Sequence, residues 1–129
     1  MAITIEGLLH RVFSERPKHP TLNPEVARFL TNAFTAESEG REEDSRDNFE
    51  KAAALAKAIY ESAPKVGLTD LDRATLGMHT EIVVSALSSA GDNDEAIMFA
   101  GEILANPVLP GISKQRIQKT IELLTGRPQ

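Results

Sequence analysis

Cysteine is absent from the 129 residues. That excludes thiol catalysis, thiolate-bound zinc and a disulfide framework. It is compatible with a reducing compartment, and a cytoplasmic protein is the expectation. Tryptophan is absent too, and aromatics make up 5% of the chain, with a single tyrosine. A platform for stacking nucleic-acid bases therefore has little to be built from. Long apolar runs are missing: strictly apolar stretches are as short as residues 52–56 and 82–84, where a membrane-spanning helix needs about 20 such residues. Basic excess is missing as well. The net charge of −5 argues against direct nucleic-acid binding, because phosphate contacts need clustered Lys and Arg. Residues 1–9 are apolar but carry neither a basic leader nor a long apolar core, so a signal peptide is not expected there.

What the chain does have is helical periodicity. Apolar residues recur at three- and four-residue steps almost throughout, and nothing alternates with period two. The length suits one domain over 1–129, large enough to bury roughly two thirds of its unfolded surface. The fold class expected is all-α with about six helices. The first covers residues 5–15, with Thr4 as cap and Ile5, Leu8, Leu9, Val12 and Phe13 as its stripe. Pro17 and Pro20 end it, so residues 1–20 read as an N-terminal helix and connector.

The second helix opens on Asn23, Pro24 and Glu25, which are a good cap, a good first residue and a favourable charge near the dipole's positive end. Val26, Phe29, Leu30, Ala33 and Phe34 give it a core-facing stripe, and it is expected to fade near Gly40. Residues 37–47 are polar throughout and read as a helix end and an exposed loop. Asp47 with Glu50 then resembles a capping box for a third helix, whose stripe is Phe49, Ala52, Ala53, Ala56, Ile59, Tyr60 and Ala63. Thr69 with Asp72 caps a fourth, over about 70–90, whose apolar residues cover more than one face and mark it as central. Asp92 with Glu95 suggests a box for the fifth. Ser113 is expected to cap the sixth, which Gly126 and Pro128 close.

The third and fifth helices overlay at a shift of 44 residues, with Ala52 on Ala96, Ala56 on Ala100 and Ile59 on Ile103. Residues 91–107, from a Gly-Asp turn through Ala96 and Ala100 to Pro107, resemble the turn and second helix of a tetratricopeptide repeat. Residues 48–64 are similar. The resemblance spans about 24–107 as two hairpin units, followed by a capping helix over 113–126. It implies stacked antiparallel helical hairpins, with a compact helical bundle as the alternative. The shift exceeds the repeat's period of about 34 residues, which leaves the acidic loop and the long fourth helix to absorb the difference.

Motifs for chemistry are few. His10 has only Glu6 four residues before it, Glu81 lies just two residues after His79, and there is no His-Glu-x-x-His, so His10, His19 and His79 are not expected to bind metal. No nucleophile elbow, phosphate loop or dinucleotide fingerprint occurs. The Asp92-Asn93-Asp94 step lacks the glycine and distal glutamate of a calcium loop. No cofactor or metal is expected, and no enzyme. Lys114, Arg116, Lys119 and Arg127 are either a small basic site or solubilising decoration.

The leading reading is a protein-interaction module or adaptor that takes a partner peptide or helix in an interhelical groove, with self-association also open. The resemblance implies groove-lining residues on the first helix of each unit: Asn32 and Ala36, then Arg73, Gly77 and Thr80. The second reading is an acidic regulator or nucleic-acid mimic, whose working surface is Glu42, Glu43 and Asp44. A small helical enzyme is the third, and would need a pocket enclosing His79 with Glu81 or Asp72.

Overall fold

The computed structural model describes residues 21–64 and 66–126. Among them are five helices and no strand: α1 (Pro24–Ser38), α2 (Glu42–Ser62), α3 (Asp70–Ser89), α4 (Asn93–Leu104) and α5 (Gly111–Thr125). The helix expected over 5–15, with Leu8 and Val12, lies outside the described residues, as do His10, His19 and Arg127. Consecutive helices pack against one another, and α3 also packs against α5. The helix expected to be central, α3, therefore packs against α2, α4 and α5.

Helix α1 starts as its sequence requires. The Asn23 side-chain oxygen accepts from the backbone N–H of Glu25 at 2.9 Å and of Val26 at 3.3 Å, which satisfies two donors that a helix start leaves open. The Asn23 backbone N–H donates to Nε2 of His79 at 3.2 Å. The other ring nitrogen, Nδ1, lies 2.8 Å from the Thr75 carbonyl. An Nε2 that accepts requires the proton on Nδ1, so His79 is the Nδ1–H tautomer, buried as a strut between α1 and α3.

Small side chains set the helix spacing. Ala33 and Ala36 of α1 and Ala52, Ala53 and Ala56 of α2 are all buried. Phe49 fills the space they leave and meets the edge of Phe34 at 5.2 Å between ring centres. Burying Phe49 alone stabilises the fold by roughly 1.5–3 kcal/mol. Phe34 itself stays more than half exposed, so the expected α1 stripe is turned by about one position, toward Ala36.

The acidic segment departs from expectation. Residues 42–47 form the first turns of α2, and Arg41, not Asp47, is the N-cap. Glu42, Glu43 and Asp44 stand in the first turn, where carboxylates face the positive end of the helix dipole. Arg41 is bound to Glu39 at 2.5 Å and to Asp44 at 2.7 Å, and those two carboxylates hold its guanidinium above its ordinary pKa. Only Ser45 and Phe49, four residues apart and both buried, mark the apolar face there.

The turns into α2 and α4 are alike. Gly40 takes φ 75°, its N–H donates to Glu37, and the Arg41 N–H donates to the Ala36 carbonyl at 2.8 Å. Gly91 takes φ 87°, its N–H donates to Ser88, and the Asp92 N–H donates to the Leu87 carbonyl at 2.8 Å. Both are Schellman closures around a left-handed glycine. Gly91 follows Gly40 by 51 residues, so the turns set a register of 51 where side-chain overlay gives 44. The difference of seven is nearly two helical turns, about 7.2 residues. Both registers therefore present the same face.

Two other caps need correction. Thr69 and Asp72 do form a reciprocal capping box at α3. At α4, Asp92 is the N-cap but makes no side-chain capping bond. At α5 the N-cap is Pro110, and Ser113 is buried, donating to Glu81 at 3.2 Å. Gly126 closes α5 at φ 70° as expected. Asn106 ties the α4–α5 link down: it donates to the Tyr60 hydroxyl at 2.6 Å and accepts from the Val108 N–H at 2.9 Å. Tyr60 in turn packs edge-on to Phe99 at 5.8 Å.

Gly77 lets α3 and α5 touch. A Cβ built on it would lie 2.2 Å from the Ser113 Oγ and 2.9 Å from its Cβ, whereas one on Gly101 would meet nothing within 4 Å. Gly77→Ala is expected to destabilise the protein by about 1–3 kcal/mol through overpacking. Gly101→Ala is expected to stabilise it by about 0.5–1 kcal/mol through helix propensity. Urea melts of the two variants check both signs.

Candidate functional site

One concavity of the described residues runs between α2 and α4. Its volume is about 300 Å³. Glu50, Ala53, Ala54 and Lys57 form the α2 wall, and Glu95, Met98, Phe99 and Glu102 form the α4 wall. Each set steps by three, one and three residues, which brings four side chains onto one helix face. Val83 and Leu87, one turn apart on α3, make the floor, and Asp92 closes one end from the α3–α4 turn.

The walls differ in character from the floor. Four carboxylates, Glu50, Asp92, Glu95 and Glu102, face a single ammonium, Lys57. That ammonium is engaged already, 5.7 Å from the centre of the Phe99 ring, a cation–π distance. Met98 is 68% exposed on the α4 wall. Among the lining residues there is no hydroxyl, thiol or imidazole. The cleft offers apolar contact and negative charge.

Glu50 and Asp92 meet at one end of the cleft. Arg46 spans the pair, with Nε 3.7 Å from Glu50 and Nη2 3.3 Å from Asp92. The contact with Asp92 lifts the Glu50 carboxyl above its usual range through a shared hydrogen bond. Partial desolvation and repulsion from Asp92 add to the rise, and Arg46 opposes it. Asp92 thus turns its carboxylate toward α2 instead of onto the α4 backbone.

The residues expected to line a groove fall elsewhere. Ala36, Gly77 and Thr80 are buried, and the Thr80 hydroxyl donates to the Gly77 carbonyl at 2.7 Å. These three are packing residues with no surface to offer. Asn32 and Arg73 are exposed, on α1 and α3, and Arg73 pairs with Asp70. Neither lines the cleft. Glu42, Glu43 and Asp44 are exposed on α2, up to two turns before Glu50. The sequence did carry a signal for the cleft, in the matched steps 50, 53, 54, 57 and 95, 98, 99, 102. Of these residues, Ala53 and Phe99 read as core.

The remaining candidates disperse. His79 braces Asn23, Asp72 caps α3, and Glu81 faces Ser113 and Arg116. Lys114 and Lys119 border a shallow, open depression with Leu104, while Arg116 pairs with Glu81 at 3.4 Å. Among the described residues no group of three or more His, Asp or Glu is arranged to hold a metal ion, and no helix is long and apolar enough to cross a membrane. The chain matches no protein-family model, no curated protein and no solved structure.

The Glu50–Asp92 contact has a consequence for stability. A carboxyl held above its ordinary value binds its proton more tightly in the folded state than in the unfolded chain. Its stabilising contribution is present in acid and is lost as pH rises through the elevated value. Glu50→Gln is therefore expected to raise Tm at pH 7 by about 1–3 °C, in line with a surface-charge effect on a domain of this size. The advantage is expected to close by pH 4, and paired thermal melts across pH 4–7 check it.

Proposed function

We propose that this chain is a protein-interaction module, and that a helix or peptide of a partner protein lies in the cleft between α2 and α4. The observation that carries the reading is the pair of facing four-residue stripes over an apolar floor, with Met98 open to solvent on one wall. Grooves between helices take partner segments by seating a few apolar anchors. The apolar floor and the exposed Met98 favour a binding role.

A stacked-hairpin, tetratricopeptide-like arrangement belongs to the same proposal. α1 with α2 and α3 with α4 would be the two hairpins, and α5 the capping helix. In support, the two hairpins turn on the same glycine geometry, and α3 packs against α5 as well as its chain neighbours. The groove in this version lies between the second helices of the two units, where the sequence resemblance points to the first.

The acidic-regulator reading assigns the work to Glu42, Glu43 and Asp44. Their position in the first turn of α2 gives them a helix-starting role that needs no partner. The cleft is therefore preferred.

Selection of a displayed random-peptide library on the immobilised protein tests the proposal. The expected result is an enriched peptide family whose affinity falls at least about tenfold for Ala54→Trp, which fills the cleft from an exposed position. The Glu42/Glu43/Asp44→Lys variant is expected to retain binding. Peptides that bind Ala54→Trp as well as the unaltered protein, or no enrichment at all, would overturn it.

A further inference from the structure

The cleft also has a definite ligand chemistry, an inference that rests on the binding role just proposed. We propose that it selects a basic amphipathic helix, and that one cationic side chain of that helix seats between Glu50 and Asp92.

Charge complementarity is the first argument. The apolar floor is bordered by four carboxylates, and the one lysine among them is already drawn onto Phe99. An acidic or neutral amphipathic segment would bury its apolar face at the cost of placing its polar face among these carboxylates. A basic segment gains on both counts.

The arrangement of Glu50 and Asp92 is the second. They belong to different elements, and the fold brings them together without a cation of its own in good geometry. Arg46 reaches them at 3.7 and 3.3 Å, whereas a well-formed charge-assisted bond is about 2.7–2.9 Å. Arg46 is also largely exposed, while Asp92 is largely covered. Asp92 forgoes the capping bond its position would allow, a contribution of typically ~1 kcal/mol. Two carboxylates kept together against their repulsion, one of them diverted from its own helix, form a cation seat that Arg46 fills only loosely.

Spacing is the third. Glu95 and Glu102 are seven residues apart on α4, so their Cα atoms stand about 10.5 Å apart along the axis. A partner helix running along the cleft matches this with basic residues two turns apart.

The test uses three labelled 14-residue peptides followed by fluorescence anisotropy: an amphipathic helix of leucine and arginine, its leucine–glutamate counterpart, and arginine without leucine. The leucine–arginine helix is expected to bind, and its affinity to fall about tenfold or more with Glu50→Gln/Asp92→Asn. Those substitutions should leave Tm at pH 7 undiminished. Arg46→Ala is expected to tighten binding a few-fold, because it removes the internal competitor. A merely structural role for Arg46 would move affinity the other way. The leucine–glutamate helix should not bind, and arginine alone should be lost between 50 and 300 mM NaCl. Binding that ignores both the double variant and Ala54→Trp would be non-specific attraction to an acidic chain, and would overturn the proposal. Library peptides that bind the cleft but carry no basic residues would overturn it too, while leaving the interaction module standing.

Discussion

Helices can share a cleft only if something fixes how closely they approach, and here small side chains fix it. Buried alanines occur on both α1 and α2, which pack together. Between α3 and α5 the approach at one point is too close for a Cβ, since none fits between Gly77 and Ser113. α3 is held on three sides in consequence, and its polar groups must be satisfied inside the protein. They are: Thr75 and Thr80 donate to carbonyls of their own helix, and His79 joins the Thr75 carbonyl to the Asn23 N–H. The buried side-chain polar atoms of the described residues all have partners. Val83 and Leu87 of this helix form the floor of the cleft.

The turns then decide what the walls present. Gly40 and Gly91 close the preceding helices alike, and each launches the next one within two residues. With turns so short, the face that α2 or α4 shows is dictated by where its helix starts. Starting α2 at Glu42 instead of near Asp47 adds helix ahead of Phe49, and brings Arg46 onto the same element as Glu50. The bridge to Asp92 depends on that early start.

Much of the fold was legible because local chemistry and long-range packing agree. Asn23-Pro24-Glu25 and Thr69 with Asp72 are caps with mechanisms, and they cap. The breadth of apolar residues along α3 announced a helix with several neighbours. Legibility failed where a residue served a distant partner. Ser113 looks like a cap, but its hydroxyl is taken by Glu81 across the α3–α5 contact. Asp92 looks like half of a capping box, but its carboxylate faces Arg46 and Glu50. Residues 42–47 look like a loop because apolar periodicity is the main helix signal, and Ser45 is too polar to register as the core residue it is. The 44-residue overlay is a subtler case. A shift by two turns leaves the helix face unchanged, so side-chain pattern alone could not choose between 44 and 51. The cleft was missed because small residues at helical spacing fit a buried seam and an open wall equally well.

The distribution of charge explains why the cleft stands apart from the rest of an acidic surface. Elsewhere, several acids are met locally by arginines: Glu25 by Arg28, Glu39 and Asp44 by Arg41, Asp70 by Arg73, Glu81 by Arg116, while Glu42 and Glu43 stand exposed at the start of α2. Such exposed pairs contribute little each, about 0–1 kcal/mol, but they leave their carboxylates neutralised. In the cleft, two cations serve four carboxylates. Arg46 is divided between two carboxylates, Lys57 lies over an aromatic ring, and Glu95 and Glu102 continue the negative charge along the opposite wall. The Glu50 carboxyl is held above its ordinary range, first by its contact with Asp92. Folding alone gains nothing from bringing such groups together, since either could be neutral at no loss of packing. A cation arriving from outside gains from both, and the apolar floor beneath them determines that it arrives attached to something amphipathic.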